Sequence, residues 1–462
     1  MRFVVFYILI AAALIRFIAL DQSLWLDEAI GAQVVKNLSF EQILTQFSPT
    51  DFHPPLYYLI LKGWTAIFGY SEIALRTPSI IFSLLAGYLI YRMVRHTQSK
   101  RVALAAMAFF LFNPLMLYYS QEARMYSLVT LGITMVLYGL EQRLRGSKIW
   151  YGVILNAGIV LSMLSFYGSF LMLVGIVVVL ILKRQWKLIA LLAPGTILGV
   201  LLITPLLIQQ LSHAGIALAA VPNWSMVLGT VTIKNIFLIP VKLVIGRISF
   251  DPTWLYYLCA ATVTAITWYW VYRGSRLYRQ MALYVVVPVL LGLIISFWFP
   301  MLQYFRFLYL LVPISVLLAV GTAKHLFWRD LIMGIFVICS TMYLLVPGFH
   351  REDWKHVLIS VTQNQPVYII PEVSDPLTYY YPDHPQRSLR KFVDLPPPGE
   401  RTEETLPSSE SLIAQMQDQT LVVIPYAAPI FGIDYQSALT ELNYRLDEQI
   451  DYNGVVLEYW IR

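Results

Sequence analysis

The sequence has few charged residues and almost no cysteine. Only 13% of its 462 residues are charged, against about 25% in soluble domains, and 58% are hydrophobic. This balance excludes an ordinary soluble globular protein. The two cysteines, Cys259 and Cys339, both lie in apolar stretches, and the segment after residue 346 has none. A disulfide framework or a thiolate metal site in that segment is therefore excluded.

Long apolar runs account for most of the first 346 residues. Each approaches the roughly 20 residues that a helix needs to cross the hydrocarbon core of a membrane. No small-residue cleavage pattern precedes Asp21, so the first run is interpreted as a retained span. We predict a polytopic α-helical membrane protein with about 11 spans. The runs cover residues 3–20, 77–94, 102–117, 125–140, 149–166, 167–182, 188–208, 253–272, 281–299, 303–323 and 327–346.

Basic residues cluster between alternate pairs of spans. The clusters at 92–101, 143–148, 183–187, 273–279 and 324–329 fall on one side if the spans alternate. The positive-inside rule makes that side cytoplasmic, which places the N-terminus inside. The loop 21–76, the turn 118–124 and everything after residue 346 are then outside. Eight of the ten acidic residues before residue 347 also fall outside. Membrane insertion does not explain this bias, because acidic residues contribute little to topology.

The composition changes after residue 346. Ten of the 27 acidic residues precede residue 347, and the other 17 follow it. We predict a transmembrane domain at 1–346 and a small external α/β domain at 347–462, with strands at 367–370, 421–424 and 455–460 and helices at 353–361, 410–416 and 435–446. Because the basic part of the chain is the membrane part, nucleic acid is rejected as a partner.

The loop 21–76 is too long to be a simple connection. Two apolar patterns, 29–38 and 56–68, predict short amphipathic helices on the membrane surface. Asp27 and Glu28 are adjacent, so on a helix only one of them can face a given cleft; the alternative is that both serve an ordinary helix N-terminus. His53 lies on a rigid His-Pro-Pro elbow and is either structural or functional. Arg76 is either an interface anchor or a phosphate ligand.

Three further sites carry charge close to the apolar runs. The turn 118–124 holds Glu122 and Arg124 and is followed by Tyr126. Two charges at membrane depth cost free energy unless they form an ion pair or take part in the function. Arg306 lies near the outer end of its span, where it either snorkels to the interface or binds a lipid head group. Arg16 is expected to snorkel.

These motifs resemble the GT-C superfamily of polyprenyl-phosphate-sugar-dependent membrane glycosyltransferases. The nearest group is the bacterial enzymes related to protein O-mannosyltransferases and to lipid A aminoarabinose transferases. The resemblance is strong over about residues 1–130 and looser afterwards, and the loop 209–252 matches no motif. It is carried by Asp27-Glu28, His53-Pro54-Pro55, Arg76-Thr77-Pro78, the turn from Tyr119 to Tyr126, the segment 303–309 with Pro313, and Arg351-Glu352-Asp353-Trp354.

The resemblance implies an inverting transfer of a sugar from a polyprenyl-phosphate carrier to an acceptor hydroxyl of a glycan, lipid or protein. A carboxylate must take the hydroxyl proton, and Asp27 is the candidate general base. Arginines suit the departing lipid phosphate, and the candidates are Arg76, Arg124 and Arg306. Glu28, His53 and Glu122 would then position the acceptor, the sugar or Arg124. Tyr126 completes the predicted substrate-binding set.

A lipid-linked glycan flippase or transporter is the alternative function. A transporter should show internal repeats and ionisable residues at the bilayer midplane, whereas here the ionisable residues collect at one interface. The enzyme is therefore favoured, in a bacterial plasma membrane with its active site on the external, periplasmic side. Metal dependence stays open, because Asp27, Glu28, His53 and Glu122 could bind a hard divalent cation.

Overall fold

The computed structural model describes residues 2–144, 146, 148–221, 223, 228–390 and 420–462. By internal contacts the chain divides into two compact units. Unit 1 comprises Met1–Asp21, Val34–Gly215 and Leu228–Phe349, and unit 2 comprises Gln22–Gln33, Ile216–Val227 and His350–Arg462. The predicted boundary after residue 346 lies close to the last of these divisions. It did not anticipate that two earlier segments would belong to the second unit.

Unit 1 is built from helices. Helix α2 (Leu26–Asn37) begins in unit 2 and ends in unit 1, and α11 (Trp186–Ala220) runs from unit 1 into unit 2. A π-helical turn covers Ile43–Phe47, and 3-10 turns cover Tyr304–Leu310 and Pro347–Phe349. The other helices are α1 (Arg2–Phe17), α3 (Phe40–Gln42), α4 (Leu56–Phe68), α5 (Glu72–Arg95), α6 (Lys100–Leu111), α7 (Pro114–Ser120), α8 (Tyr126–Arg143), α9 (Trp150–Met163), α10 (Ser169–Leu182), α12 (Ile233–Ile245), α13 (Thr253–Leu277), α14 (Arg279–Ile295), α15 (Leu311–Gly321) and α16 (Leu326–Leu345).

Each of the eleven predicted apolar runs contains a helix. Within the described residues, four helices are long and apolar enough to cross a membrane, or five if the bent pair α6 and α7 is one span. The four are Glu72–Arg95, Trp186–Gly215, Tyr304–Gly321 and Leu326–Leu345. The protein is therefore a polytopic helical membrane protein, while the number of eleven spans stays a prediction.

Local sequence signals fix where several helices begin. The Ser71 side chain accepts a hydrogen bond from the Ala74 amide and caps α5. Asn113 caps α7 in the same way through Leu115 and Met116, with Pro114 in the first turn. The chain bends by 58° at this break. The proline after Asn113 prevents α6 from continuing, so the third apolar run contains two helices.

Arg16 does not reach an interface, which corrects the expectation that it snorkels. Its side chain is 0% exposed. Nη1 donates to the Ala12 carbonyl at 2.8 Å, and Nη2 donates to the Leu111 carbonyl at 2.7 Å. Leu111 ends α6, where helix carbonyls lack partners within the helix. The guanidinium thus satisfies a carbonyl at the break between α6 and α7.

Unit 2 contains a mixed five-stranded sheet of order β2-β1-β3-β5-β4. Strand β1 is parallel to β2 and β3, whereas β5 is antiparallel to β3 and β4. Buried side chains form one apolar cluster with Tyr368, Leu421 and Trp460 and another with Trp354, Val422 and Leu457. The strands are β1 (Val367–Ile369), β2 (Gln386–Ser388), β3 (Thr420–Ile424), β4 (Arg445–Tyr452) and β5 (Val455–Ile461); the helices are α17 (Asp375–Tyr380), α18 (Ala428–Phe431) and α19 (Tyr435–Glu441), with a 3-10 turn at Pro371–Val373.

The three strands predicted in the tail are present, but two helices differ from the prediction. Residues 353–361 form successive turns and no α-helix. The helix predicted at 435–446 ends at Glu441, because Asn443 adopts a left-handed conformation with φ of 65° and the chain then enters β4. The helix predicted at 410–416 lies outside the described residues.

Candidate active site

The turn between α7 and α8 brings charged residues into the interior of unit 1. Glu122 and Arg124 are both buried, as are their neighbours Ser120 and Gln121. Arg124 Nη1 donates to the Tyr58 hydroxyl at 3.1 Å, and the Arg124 carbonyl accepts from Ser79 Oγ at 3.3 Å. Helices α4 and α5 therefore hold the turn. Because it is buried, Arg124 has lost much of its hydration, which strengthens its attraction to any anion that reaches it.

Asp51 and His53 lie next to Arg124. Asp51 Oδ1 is 3.5 Å from His53 Nδ1. Burial alone would raise the pKa of Asp51, but His53, Arg124 and a backbone hydrogen bond with Phe52 together outweigh that effect. The net result is a pKa below the ordinary value of 3.8, so Asp51 is an anion at neutral pH.

The segment that carries Asp51 and His53 is fixed by Gln210 of α11. Gln210 Nε2 donates to the Ser48 carbonyl at 2.7 Å and to the His53 carbonyl at 3.1 Å. The Tyr167 hydroxyl donates to Gln210 Oε1.

Aromatic rings join these charged residues to the start of α15. His53 stacks on Phe166 with ring centroids 6.3 Å apart and an interplanar angle of 17°. Tyr126 packs on Phe166 at 5.9 Å, on Phe305 at 5.6 Å and on Tyr119 at 5.0 Å. Tyr126, which the sequence predicted as a substrate-binding residue, is therefore the centre of this aromatic cluster.

Two arginines flank the aromatic cluster. Arg306 is half-buried, and its charge interacts with the Tyr126 hydroxyl. Arg247, which follows α12, lies over the Tyr118 ring at 4.7 Å and donates to the Tyr118 hydroxyl. The charge of Arg247 also interacts with Glu122 and with the hydroxyls of Tyr119 and Tyr304. Its side chain is exposed, so it is accessible to a ligand.

Arg76 occupies a different environment from the other arginines. It is 0% exposed, and Nη1 donates to the Leu20 carbonyl at 2.8 Å. Leu20 closely follows the end of α1. This geometry ties the chain after α1 to the first turns of α5, which favours a structural role for Arg76 over contact with a phosphate.

In unit 2, Asp27 lies in the first turn of α2 near Tyr426. The Tyr426 hydroxyl donates to Glu352 Oε1 at 3.1 Å. Burial is the main cause that raises the pKa of Tyr426, followed by the charge of Glu352 and its hydrogen bond with Tyr426, and then by the charge of Asp27. Leu26 packs against the apolar cluster of the sheet, which fixes the turn that carries Asp27. Asp27 itself is half-buried and so retains access to a partner.

Glu28 points in another direction from Asp27, as adjacent helical residues must. Its side chain is 0% exposed, and its Oε2 is 3.5 Å from Nε of Arg351, whose side chain is 1% exposed. The Arg351 amide donates to Gln22 Oε1 at 3.1 Å. These contacts explain why Gln22–Gln33 belongs to unit 2, and they give Glu28 a structural partner.

The structure thus brings His53, Glu122, Arg124, Tyr126 and Arg306 into one network within unit 1. Asp27 and Glu28 belong to unit 2, and each unit is described by itself. Among the described residues, no three His, Cys, Asp or Glu side chains come together as a metal site.

Sequence reasoning missed several residues of these networks. Asp51 precedes the His-Pro-Pro elbow by two residues and could have been added as an acid of the same motif. Arg247 stands in a segment without any recognisable motif, so only its charge at the end of an apolar helix marked it. Glu352 belongs to the motif noted at the start of the tail, whereas Tyr426 gave no signal.

Comparisons with known proteins agree with this architecture. Residues 52–213 match the family described as Dolichyl-phosphate-mannose-protein mannosyltransferase. That range includes His53, Arg76, Glu122, Arg124 and Tyr126. None of the curated proteins compared with the chain matches it in sequence.

Solved structures share the fold at low sequence identity. ArnT from Cupriavidus metallidurans, in the apo state and bound to undecaprenyl phosphate, is 13% identical with a TM-score of 0.60, over 98% of this chain and 97% of that chain. The Archaeoglobus fulgidus oligosaccharyltransferase, in complex with Zn and sulfate, is also 13% identical, with a TM-score of 0.51 over 91% of this chain and 68% of that chain. The family match is confined to residues 52–213, and over nearly the whole chain the fold is that of these two solved membrane proteins.

Proposed function

We propose that this glycosyltransferase moves a sugar from a polyprenyl-phosphate carrier to an acceptor hydroxyl. The observation that carries the proposal is the network of unit 1, in which Arg247 and Arg306 flank one aromatic cluster and Arg124 lies close to Asp51, among apolar helices. A polyprenyl phosphate combines a phosphate with a long apolar chain, so it requires cations next to a lipid-facing surface. Nucleotide sugars do not combine these two features.

The relatives support the same class of donor. ArnT from Cupriavidus metallidurans has been solved with undecaprenyl phosphate bound. The matching family is described by a dolichyl-phosphate sugar donor and a protein acceptor. We therefore assign a polyprenyl-phosphate-linked sugar as the donor and a glycan, lipid or protein hydroxyl as the acceptor.

The roles of the charged residues follow from the reaction. As the acceptor oxygen attacks the anomeric carbon, its proton passes to a base, and we assign this base to Asp27, near Tyr426 and Glu352. The bond from the sugar to the phosphate oxygen breaks at the same time, and negative charge grows on the phosphate. Arg124, Arg247 and Arg306 stabilise that charge because they are fixed before the reaction begins. His53 and Glu122 position the substrates.

We also propose where the reaction occurs. The positive-inside pattern, with about 11 spans and an internal N-terminus, puts the α/β domain of residues 347–462 and the loop 21–76 outside a bacterial plasma membrane. Nucleotide sugars are absent from that side, which is a reason to use a lipid-linked donor.

The role of Asp27 is tested by sugar transfer with purified full-length protein. A labelled polyprenyl-phosphate hexose and a mixed acceptor pool are given to wild type, to Asp27→Asn and to Asp21→Asn. Asp21 is an exposed acid close to Asp27 in sequence and serves as the matched control. Loss of a general base is expected to lower the rate about 10²–10⁴-fold in Asp27→Asn and to leave Asp21→Asn unchanged.

Two outcomes would contradict the proposal. Undiminished transfer in Asp27→Asn would remove the base assignment. If the wild-type protein moved the intact lipid-linked sugar between leaflets without transferring the sugar, the chain would be a flippase instead.

A further inference from the structure

Asp51 is an acid of unit 1 to which the proposed reaction gives no role. Its side chain is 16% exposed, and Oδ1 is 3.5 Å from His53 Nδ1. Within the described part of the chain, Oδ2 is buried and has no hydrogen-bond partner. A buried carboxylate oxygen without a hydrogen bond is unfavourable unless neighbouring charges compensate it. The compensating groups here are His53 and Arg124.

Asp51 differs from an acid that only supports a loop. Besides a hydrogen bond with the backbone of Phe52, its carboxylate interacts with the side chains of His53 and Arg124. The loop here is already held by Gln210, which donates to the carbonyls of Ser48 and His53. The other interactions of the Asp51 carboxylate are with one imidazole and one guanidinium.

We propose that Asp51 is a positioning residue for the donor phosphate. Its carboxylate fixes the orientation of the His53 imidazole and the Arg124 guanidinium, and these two groups contact the phosphate of the polyprenyl carrier. This inference rests on the proposed function, because it concerns the same donor. The stacking of His53 on Phe166 and the bond from Arg124 to Tyr58 restrict the other sides of both groups.

The test uses full-length protein in lipid nanodiscs and polyprenyl monophosphate as the binding probe. Asp51→Asn keeps the shape of the side chain and removes its charge, and Asp51→Glu keeps the charge. Glu41→Gln is the control, because Glu41 is an exposed acid of the same loop. The dissociation constant for polyprenyl monophosphate and the KM values for donor and acceptor are measured for each variant.

Asp51→Asn is expected to weaken polyprenyl monophosphate binding and to raise the donor KM by about tenfold each, with the acceptor KM unchanged. Glu41→Gln should match wild type, and Asp51→Glu should bind more tightly than Asp51→Asn. In an Arg124→Gln background, Asp51→Asn should add less than it does alone, because positioning acts through Arg124. If Asp51→Asn is too unstable to assay, a raised donor KM with an unchanged acceptor KM in Asp51→Glu supports the inference.

The inference fails if Asp51→Asn binds the probe as wild type does, or if its effect is fully additive with Arg124→Gln. It also fails if donor and acceptor KM rise together, which would indicate a general structural role. In each case wild-type transfer from the lipid donor would leave the proposed function standing. A wild-type protein that neither binds the probe nor transfers from the donor would overturn both.

Discussion

Arg16 shows how a single buried charge can hold a helix break in place. Two of its guanidinium nitrogens, Nη1 and Nη2, donate to the carbonyls of Ala12 and Leu111 at the same time. Lysine has one compact ammonium group and cannot reproduce this fork. We therefore expect Arg16→Lys to lower the free energy of unfolding by about 1–3 kcal/mol, the cost of a buried carbonyl left without its donor.

The measurement is thermal stability of the purified protein in one detergent at one pH. Arg95→Lys is the matched control, because Arg95 is exposed in the last turn of α5, and no change is expected there. Equal stability of Arg16→Lys and wild type would mean that Arg16 is solvated in the membrane, as the sequence alone suggested.

The pair of Glu28 and Arg351 is the second case in which the environment of a residue could not be anticipated. The sequence showed two adjacent acids but not which of them would be buried. The structure gives Asp27 the half-buried position and Glu28 the fully buried one. A contact between residues so far apart in sequence depends on the whole folded unit.

Removing one partner of this buried ion pair leaves an uncompensated charge. Glu28→Met is expected to destabilise the protein by about 3–5 kcal/mol, and the double variant Glu28→Met with Arg351→Met is expected to recover most of that loss. Thermal unfolding measures both. A double variant that stays as unstable as the single one would contradict the pairing. If the recovered double variant still lacks transferase activity, Glu28 or Arg351 has a role beyond stability.

At the scale of elements, the helices could be predicted and some strands could not. Apolar runs are local signals, and each predicted run contains a helix. Strand β4 (Arg445–Tyr452) is largely exposed, so its sequence lacks the apolar alternation of a half-buried strand. The pair Asn453-Gly454, with positive φ at both residues, is a strong hairpin signal and could have revealed it.

The prediction of a helix at 353–361 was wrong for a related reason. Its apolar residues Trp354, Val357, Leu358 and Val361 have helical spacing and are all buried. These residues are buried in a series of turns instead of an α-helix. The backbone hydrogen bonds there join residues three apart, as from the Ile359 amide to the His356 carbonyl. Spacing alone does not distinguish these turns from an α-helix.

At the scale of the candidate site, the residues that stand in recognised motifs were found and the others were missed. His53, Glu122, Arg124 and Tyr126 stand in short motifs, and the structure brings them together. Arg247 joins them only because the end of α12, which Arg247 follows, packs beside the start of α7, where Asn113 Nδ2 donates to the Leu243 carbonyl at 2.8 Å. Such a contact depends on tertiary packing and leaves no local pattern.

For the whole molecule, the proposed function depends both on the orientation of the protein in the membrane and on a site that is fixed before the substrate binds. Close helix packing supports a fixed helical body in unit 1: a Cβ at Gly274 would lie 1.9 Å from the Leu317 carbonyl oxygen, so α13 and α15 meet where only glycine fits. A fixed body of this kind can hold arginines before the substrate arrives. The proposed orientation also requires that the lipid-linked donor reaches the site from one particular face of the membrane.

The most direct test of the central claim compares sealed vesicles of opposite orientation. Right-side-out and inside-out membrane vesicles containing the protein receive a labelled, water-soluble short-chain polyprenyl-phosphate hexose together with an acceptor extract. With the active site on the external side, label is expected to reach the acceptor in right-side-out vesicles. Inside-out vesicles are expected to become active only after detergent opens them. Transfer only by sealed inside-out vesicles, or transfer only when a nucleotide sugar replaces the lipid-linked donor, would contradict it.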